Sequence, residues 1–481
     1  MRALHEDREV TRLGESVFRN GLLAPEAIAS TIQALSRFHR ATQRYGVDAV
    51  RVVATSALRD ARNSRAFVEW VRAATGWNVE IISGLEEGRL IHLGILANMR
   101  LTSRRVLMVD LGGGSCELTI SVDGHIRQMH SLPLGAVRLT QDFLNHDPPK
   151  KKELERLHEF ILEEVGRVAP RIVAAKIQSV IATSGTAAAL AGAARDTGKK
   201  SAPGFASRES VSKLATKLSR CSVKQRAQFS GIGPRRAEII IAGATVFAEL
   251  MQLCHLPYLR YSPLGLRDGL LAQMAADYDR STRSRRQVES DRWDALLAAG
   301  KHYQLDINHC EHVRDLAVRL FSSLKGLHRL PDEYKEWLSA AAMLHEVGSY
   351  INRAGRHRHS HYIIANSEIF GYTLEQRQII AAIARYLGKS LPARGDRYLK
   401  ALPLTDRQLV PRAVALLRIA IALNQGRRSA VRNVRAIKRD GNVRLCLDTA
   451  KTGADLELWA AEKERTYFRE LFGRELLIET S

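Results

Sequence analysis

Long apolar runs are missing from this chain. No stretch approaches the ~18 consecutive apolar residues that a bilayer-spanning helix needs, and the opening Met1-Arg-Ala-Leu-His-Glu-Asp-Arg8 has no secretory apolar segment. Cysteine is scarce. Cys116, Cys221, Cys254, Cys310 and Cys446 form no Cys-x-x-Cys pair, which excludes a disulfide framework and a thiolate zinc site. The expectation is a cytoplasmic protein with no membrane partner. Aromatics make up 6%, too few for base-stacking platforms. Acidic residues are outnumbered: 51 Asp and Glu face 73 Lys and Arg, giving +22. Such a field draws polyanions. No nucleic-acid module accompanies it; a long inorganic or nucleotide polyphosphate satisfies the same electrostatics, and so does a generally basic proteome background. The hydrophobic content of 45% is ample for ordinary cores. A chain of 481 residues suits about three domains of ~150 residues each.

What is present is concentrated in Val106-Leu-Met-Val-Asp110-Leu-Gly-Gly-Gly-Ser115-Cys-Glu117-Leu-Thr-Ile-Ser-Val122, which reads as strand, glycine turn, strand. Gly112, Gly113 and Gly114 can adopt backbone angles that turn several N–H groups toward one point, an anion-binding concavity. Asp110 and Glu117 flank the turn and could hold a hard divalent cation against a phosphate. Asp123-Gly124 then predicts a two-residue hairpin into Ile126–Leu132. No helix with Lys-Ser/Thr follows the glycines, so the segment fits neither a Walker loop nor a dinucleotide fingerprint.

The flanking pattern predicts an α/β unit. A helix over 25–45 starts at Pro25, with Ile28, Ile32 and Leu35 at helical spacing. Strand Val50–Val53, a helix carrying Phe67, Val68 and Val71, strand Val79–Ile82, and a helix from Ser83-Gly84 through Ile95 follow. After the glycine hairpin come a helix from Lys151 to about Val168, strand Ser179–Thr183, a basic stretch over 195–227, helix Ala237–Met251 and strand Tyr258–Tyr261. Arg280–Arg286 is a like-charged segment that reads as a linker. Beyond it helices are expected near 308–325, 332–346, 360–369, 374–387 and 407–424, then a short α/β ending. The domain boundaries read 1–98, 99–278, a linker at 279–290, 291–433 and 434–481.

Arg59 and the pair Glu86-Glu87 each lie just past the C-terminal end of a predicted strand, where open α/β sheets place their ligands. A glutamate there could activate water for in-line attack on phosphorus. Arg59 and Arg267 would neutralise the non-bridging oxygens with planar forks. A second constellation is His309-x-x-His312, His345-Glu346 and Arg356-His-Arg-His-Ser-His361. Neutral His beside carboxylate permits a transition metal, and helix capping and packing explain the same residues equally well.

The chain resembles the exopolyphosphatase/guanosine pentaphosphate phosphohydrolase (Ppx/GppA) family. The resemblance rests on Ala54–Ala61, Ile82–Ile91, Val109–Leu118, Leu134–Arg138, Ala182–Thr186 and Leu264–Gly269, in family order across residues 1–270. It implies an α/β fold of two actin-like (ribonuclease H-like) lobes, followed by an all-α HD-like domain and a small C-terminal α/β piece. It implies that Glu87 is the water-activating base, with Asp110 and Glu117 the magnesium-side carboxylates. Gly112 to Ser115 would be the phosphate loop, and Arg59 and Arg267 the clamps. The implied activity is release of terminal phosphate from inorganic polyphosphate or guanosine pentaphosphate, with Mg2+, in a homodimer. Family members begin with a strand and Asp-x-Gly-Ser-Asn-Ser, whereas Met1 leads directly into Ala3–Thr11, read as the third strand, and an upstream start codon is the expectation. The alternatives are a catalytically impaired polyphosphate- or alarmone-binding protein and a kinase or ATPase of the same superfamily. In the helical region His345-Glu346 replaces the usual His-Asp pair and Asn424 stands where aspartate is common. The expectation there is polyphosphate binding rather than a working metal centre.

Overall fold

The computed structural model describes residues 3–193, 204–278, 283–393, 395–439, 441–450 and 453–480. The chain divides into two compact units, Met1–Val288 and Glu289–Ser481.

The first unit begins with an irregular extended segment. Residues 3–11 form no strand among the described residues, contrary to the sequence reading. Their acidic side chains are taken up by ion pairs instead, with Asp7 and Glu9 on Arg37 and Glu6 on Arg267. Helices Pro25–Arg44 and Ser64–Thr75 bury Ile28, Phe67 and Val71 in a small core with Leu58. They pack beside two short parallel strands, β1 (Val52–Ala54) and β2 (Val79–Ile81), in register Val52 to Val79.

The larger sheet has six strands: β3 (Arg105–Leu111), β4 (Cys116–Val122), β5 (His125–Leu132), β6 (Ser179–Thr183), β7 (Phe205–Ser207) and β8 (Tyr258–Tyr261). Their order is β5-β4-β3-β6-β8-β7, with β3 antiparallel to β4 and parallel to β6. The turn between β4 and β5 holds Asp123 at φ 53° and Gly124 at φ 82°, the positive pair that a two-residue hairpin requires.

Strand β3 is covered on both faces, which is why it reads as an unbroken apolar run. Leu107, Val109 and Leu111 face a core shared with Leu157 and Ile161 of helix Lys151–Gly166. Val106 and Met108 face Ile91 and Ile95 of helix Gly84–Asn98. The two-residue period therefore puts Asp110 on the Val106/Met108 face, beneath the helix that carries Glu87.

The expected helix over Ala237–Met251 is found as Ile240–Leu253, and a helix that the sequence reading did not name, Leu266–Tyr278, closes the lobe. The basic stretch over 195–227 contains helices Arg208–Ser219 and Val223–Arg226, while its part up to residue 203 lies outside the described residues. The segment read as a linker is helical from Arg283, in helix Arg283–His302; residues 279–282 lie outside the described residues. Val288 of that helix is buried.

The second unit contains helices Ile307–Ser323, Glu333–Leu344, Arg356–Asn366, Leu374–Arg385 and Leu404–Ala422, close to the expected set. Its three-stranded sheet, β9 (Val431–Arg439), β10 (Asn442–Thr449) and β11 (Leu476–Thr480), shares one hydrophobic core with these helices.

Candidate active site

Register builds the site. Asp110 at the end of β3 lies directly across from Glu117 on β4. Glu117 in turn lies across from Ser131 on β5, and Asp110 from Thr183 on β6. Facing residues in adjacent strands share one face of the sheet, so Ser131, Glu117, Asp110 and Thr183 form one polar row across four strands. The hydroxyls serve the carboxylates. Ser131 Oγ donates to Glu117 Oε1 at 2.9 Å, and Thr183 Oγ1 donates to Asp110 Oδ1.

Glu87 comes down onto this row from the first turn of helix Gly84–Asn98, whose start is capped by Ser83 Oγ accepting from Glu86 N at 3.1 Å. The adjacent pair Glu86-Glu87 is split by the helix. Glu86 turns to Arg89 and holds it through two contacts of 2.8 Å. Glu87 points to the row, and one carboxylate oxygen from each of Glu87, Asp110 and Glu117 lies within 4.8 Å of the others. Arg59 ties the group together. Its Nη1 donates to Ile82 O at 2.7 Å and to Glu87 Oε2 at 3.2 Å, and its Nη2 donates to Ser115 Oγ at 3.3 Å.

Three carboxylates beside one guanidinium leave excess negative charge in a buried place. Glu87 is 8% exposed and Glu117 2%. Burial is the largest cause of the rise of the Glu117 carboxyl to about 8, followed by the Glu87 charge. Burial also lifts Glu87 to about 7, against the opposing pull of Arg59. Asp110 is raised by burial, partly offset by the Thr183 hydroxyl. Glu117 Oε2 is buried without a hydrogen-bond partner. An all-oxygen donor set with an orphaned oxygen and uncompensated charge fits a hard divalent cation, and Asp110 and Glu117 are the residues that could hold it.

The glycine turn is built differently from the sequence expectation. None of Gly112, Gly113 and Gly114 has a positive φ. Glycine is required at Gly114 by close approach, because a Cβ there would lie 2.4 Å from both Phe18 Cζ and Ser56 Oγ. The turn is pinned through its carbonyls: Ala136 N donates to Gly112 O at 3.0 Å, Val137 N to Gly113 O at 2.9 Å, and Arg138 Nε to Gly114 O at 2.7 Å. Gly112 N is itself bonded to Ser115 O at 2.9 Å. The segment Leu134–Arg138 is thus the brace of the loop, a role that its sequence did not disclose.

Arg267 stands apart from the group. Its side chain is 73% exposed and pairs with Glu6 at 2.8 Å. It lies in the first turn of helix Leu266–Tyr278, which packs on the Glu87 helix through Gly94 and Gly269, and the guanidinium leaves that contact for solvent. The structure brings together Glu87, Asp110, Glu117, Arg59 and Ser115, and it does not bring Arg267 to them.

In the second unit His309, His345 and Glu346 offer ligand atoms within 4.8 Å of one another. Asn424 Nδ2 donates to His309 Nδ1 at 2.9 Å, and His345 Nδ1 bonds Ala342 O at 2.7 Å. Burial pushes both imidazoles toward the neutral form. Glu346 is bound by Arg427 and faces Arg356 at 3.6 Å, so arginine already balances its charge. His345 Nε2 is buried without a hydrogen-bond partner.

Fold and site define an actin-like α/β protein that gathers three carboxylates and an arginine beside a braced glycine loop. The chain belongs to the Ppx/GppA phosphatase family, a family of phosphohydrolases; the match covers residues 1–277, and domain III of that family matches residues 292–465. A guanosine-5'-triphosphate,3'-diphosphate pyrophosphatase of Aliivibrio fischeri is 25% identical over 420 residues, 86% of this chain and 80% of that protein. Among solved structures, an exopolyphosphatase from Cytophaga hutchinsonii superposes with a TM-score of 0.52 at 23% identity, covering 56% of this chain and 89% of that one. An exopolyphosphatase-like protein superposes with a TM-score of 0.51 at 26% identity, covering 56% of this chain and 90% of that one. No helix among the described residues is long and apolar enough to cross a membrane.

Proposed function

We propose that this chain is a magnesium-dependent phosphoanhydride hydrolase that releases terminal phosphate from inorganic polyphosphate or guanosine pentaphosphate. The carrying observation is the convergence of Glu87 with Asp110 and Glu117 under Arg59. Glu87, held at about 7, is matched to proton transfer near neutrality. It takes a proton from water as the water oxygen bonds to the terminal phosphorus; the bridging P–O bond breaks and the shortened chain leaves with that oxygen. Arg59 fixes Glu87 and the loop serine while presenting positive charge to the phosphoryl oxygens. A magnesium ion held by Asp110 and Glu117 would supply charge neutralisation at those oxygens. The names of the Aliivibrio and Cytophaga relatives and the net charge of +22 support a polyphosphorylated substrate.

A second reading is a polyphosphate- or alarmone-binding protein with little turnover. It is favoured by Arg267, an expected clamp, being neutralised by Glu6. Phosphate release from tripolyphosphate, long-chain polyphosphate and guanosine pentaphosphate with magnesium separates the two. The hydrolase reading expects turnover that Glu87→Gln removes with binding retained. Binding without turnover in the parent chain would establish the second reading.

A further inference from the structure

Strand β6 ends at Thr183, whose hydroxyl is spent on Asp110. The next residue opens helix Ser184–Ala193 in an uncommon conformation, with Ser184 at φ 74°, a left-handed angle that side-chain-bearing residues seldom adopt. Such strain persists only where the surroundings enforce it, and it concentrates at ligand sites. The hydroxyl that this conformation positions, Ser184 Oγ, is buried and has no hydrogen-bond partner.

Arg236 supplies the second half of the arrangement. A Cβ at Gly185 would lie 1.5 Å from Arg236 Nη2 and 1.9 Å from its Cζ, so the guanidinium rests against the Gly185 backbone and a side chain there would displace it. Arg236 is half-buried, and among the described residues its side chain makes no hydrogen bond or ion pair. Burial and then the like charge of Arg8 disfavour its protonated form. A desolvated cation beside another cation, over the N–H end of a ten-residue helix and an unpaired hydroxyl, is an arrangement that an anion relieves. Among the described residues no carboxylate pairs with Arg236.

We propose that Ser184, the amides opening helix Ser184–Ala193 and Arg236 hold the penultimate phosphoryl group of the substrate, on the leaving-group side of the bond cleaved beside Asp110. This inference rests on the hydrolase reading for the bond cleaved, and on the geometry alone for the anion. It makes Arg236 a positioning residue that discriminates chains of phosphoanhydrides from single phosphates. A lone phosphate needs only Arg59, Ser115 and a cation that the carboxylate row would hold.

Titration calorimetry with inorganic tripolyphosphate and with orthophosphate, on the full chain and on Arg236→Gln and Arg236→Lys, tests the assignment. The expected result is tripolyphosphate binding weakened about 10- to 100-fold in Arg236→Gln, with orthophosphate binding unchanged and partial recovery in Arg236→Lys. In turnover the loss falls on KM, with kcat at saturation within about threefold. Unchanged tripolyphosphate affinity in Arg236→Gln would overturn the subsite, and so would an equal loss for both ligands. If Arg236→Gln does not fold, Ser184→Ala with the same two ligands carries the test: a selective loss for tripolyphosphate supports the subsite and no selectivity overturns it. A parent chain that binds tripolyphosphate through Arg236 but releases no phosphate would sink the hydrolase reading and leave the subsite standing.

Discussion

Replacing Glu117 with glutamine isolates the charge problem at the centre of the site. In the metal-free chain Glu117 is raised to about 8 and Glu87 to about 7, chiefly by burial. Raised carboxyl pKa values mean that the folded chain keeps protons which the unfolded chain releases. Their stabilising contribution is therefore complete below the ordinary carboxylate range and is lost as pH climbs through about 7 to 8. At about 1.4 kcal/mol per unit of displacement, ionising either glutamate costs the fold on the order of 3–5 kcal/mol. Glutamine keeps an oxygen for the Ser131 hydroxyl but carries no charge. Scanning calorimetry of the metal-free protein should show Glu117→Gln melting above the parent at about pH 9, by roughly 5 °C for a unit of this size, with the gap closing near pH 5. Magnesium at about 10 mM should raise the parent at pH 9 and leave Glu117→Gln nearly unmoved. A variant less stable than the parent by the same amount at both pH values would refute the buried-charge account.

Other residues give sharper local tests. Arg59→Gln removes the charge that opposes the rise of Glu87, so the acidic limb of the kcat/KM profile should move up by about one pH unit; an unmoved limb would separate Arg59 from Glu87 in function. Gly114→Ala forces a methyl to 2.4 Å from Phe18 Cζ and Ser56 Oγ, and should cost about 1–3 kcal/mol in a melting experiment and lower kcat/KM at least about 10-fold. Glu346→Gln should leave kcat within about threefold, while lowering stability by about 1–2 kcal/mol as Arg427 loses its charged partner; a collapse of turnover would give the second unit a catalytic role.

The sheet and the helices around it were legible because their apolar periods are clean: β3 and β4 read as apolar runs bracketing a glycine turn, and Asp123-Gly124 fixed the hairpin. Asp110, Glu117 and Glu87 could be picked from their places at strand and helix ends, and the strand period puts both strand carboxylates on the face that the Glu87 helix covers. Tertiary partners left no local mark. Ser131 and Thr183 reach the carboxylates only through cross-strand register, and Arg138 braces Gly114 O across 24 positions of sequence. Arg236 acts from a loop with no motif of its own, and only the crowding at Gly185 discloses it. Arg267 stands apart from the group for a related reason. A position after a strand says where a backbone goes, and Glu6 decides where that long side chain points. Residues 3–11 were read as a strand from the family resemblance, yet their acidic side chains are spent on surface ion pairs rather than a sheet.

The most direct measurement is phosphate release from tripolyphosphate with magnesium by the parent chain and by Glu87→Gln, alongside calorimetric binding of the same substrate. A water-activating Glu87 predicts a loss of about 10²–10⁴ in kcat with affinity preserved. Equal turnover in the two proteins would contradict that role and, with it, the catalytic reading of the carboxylate group.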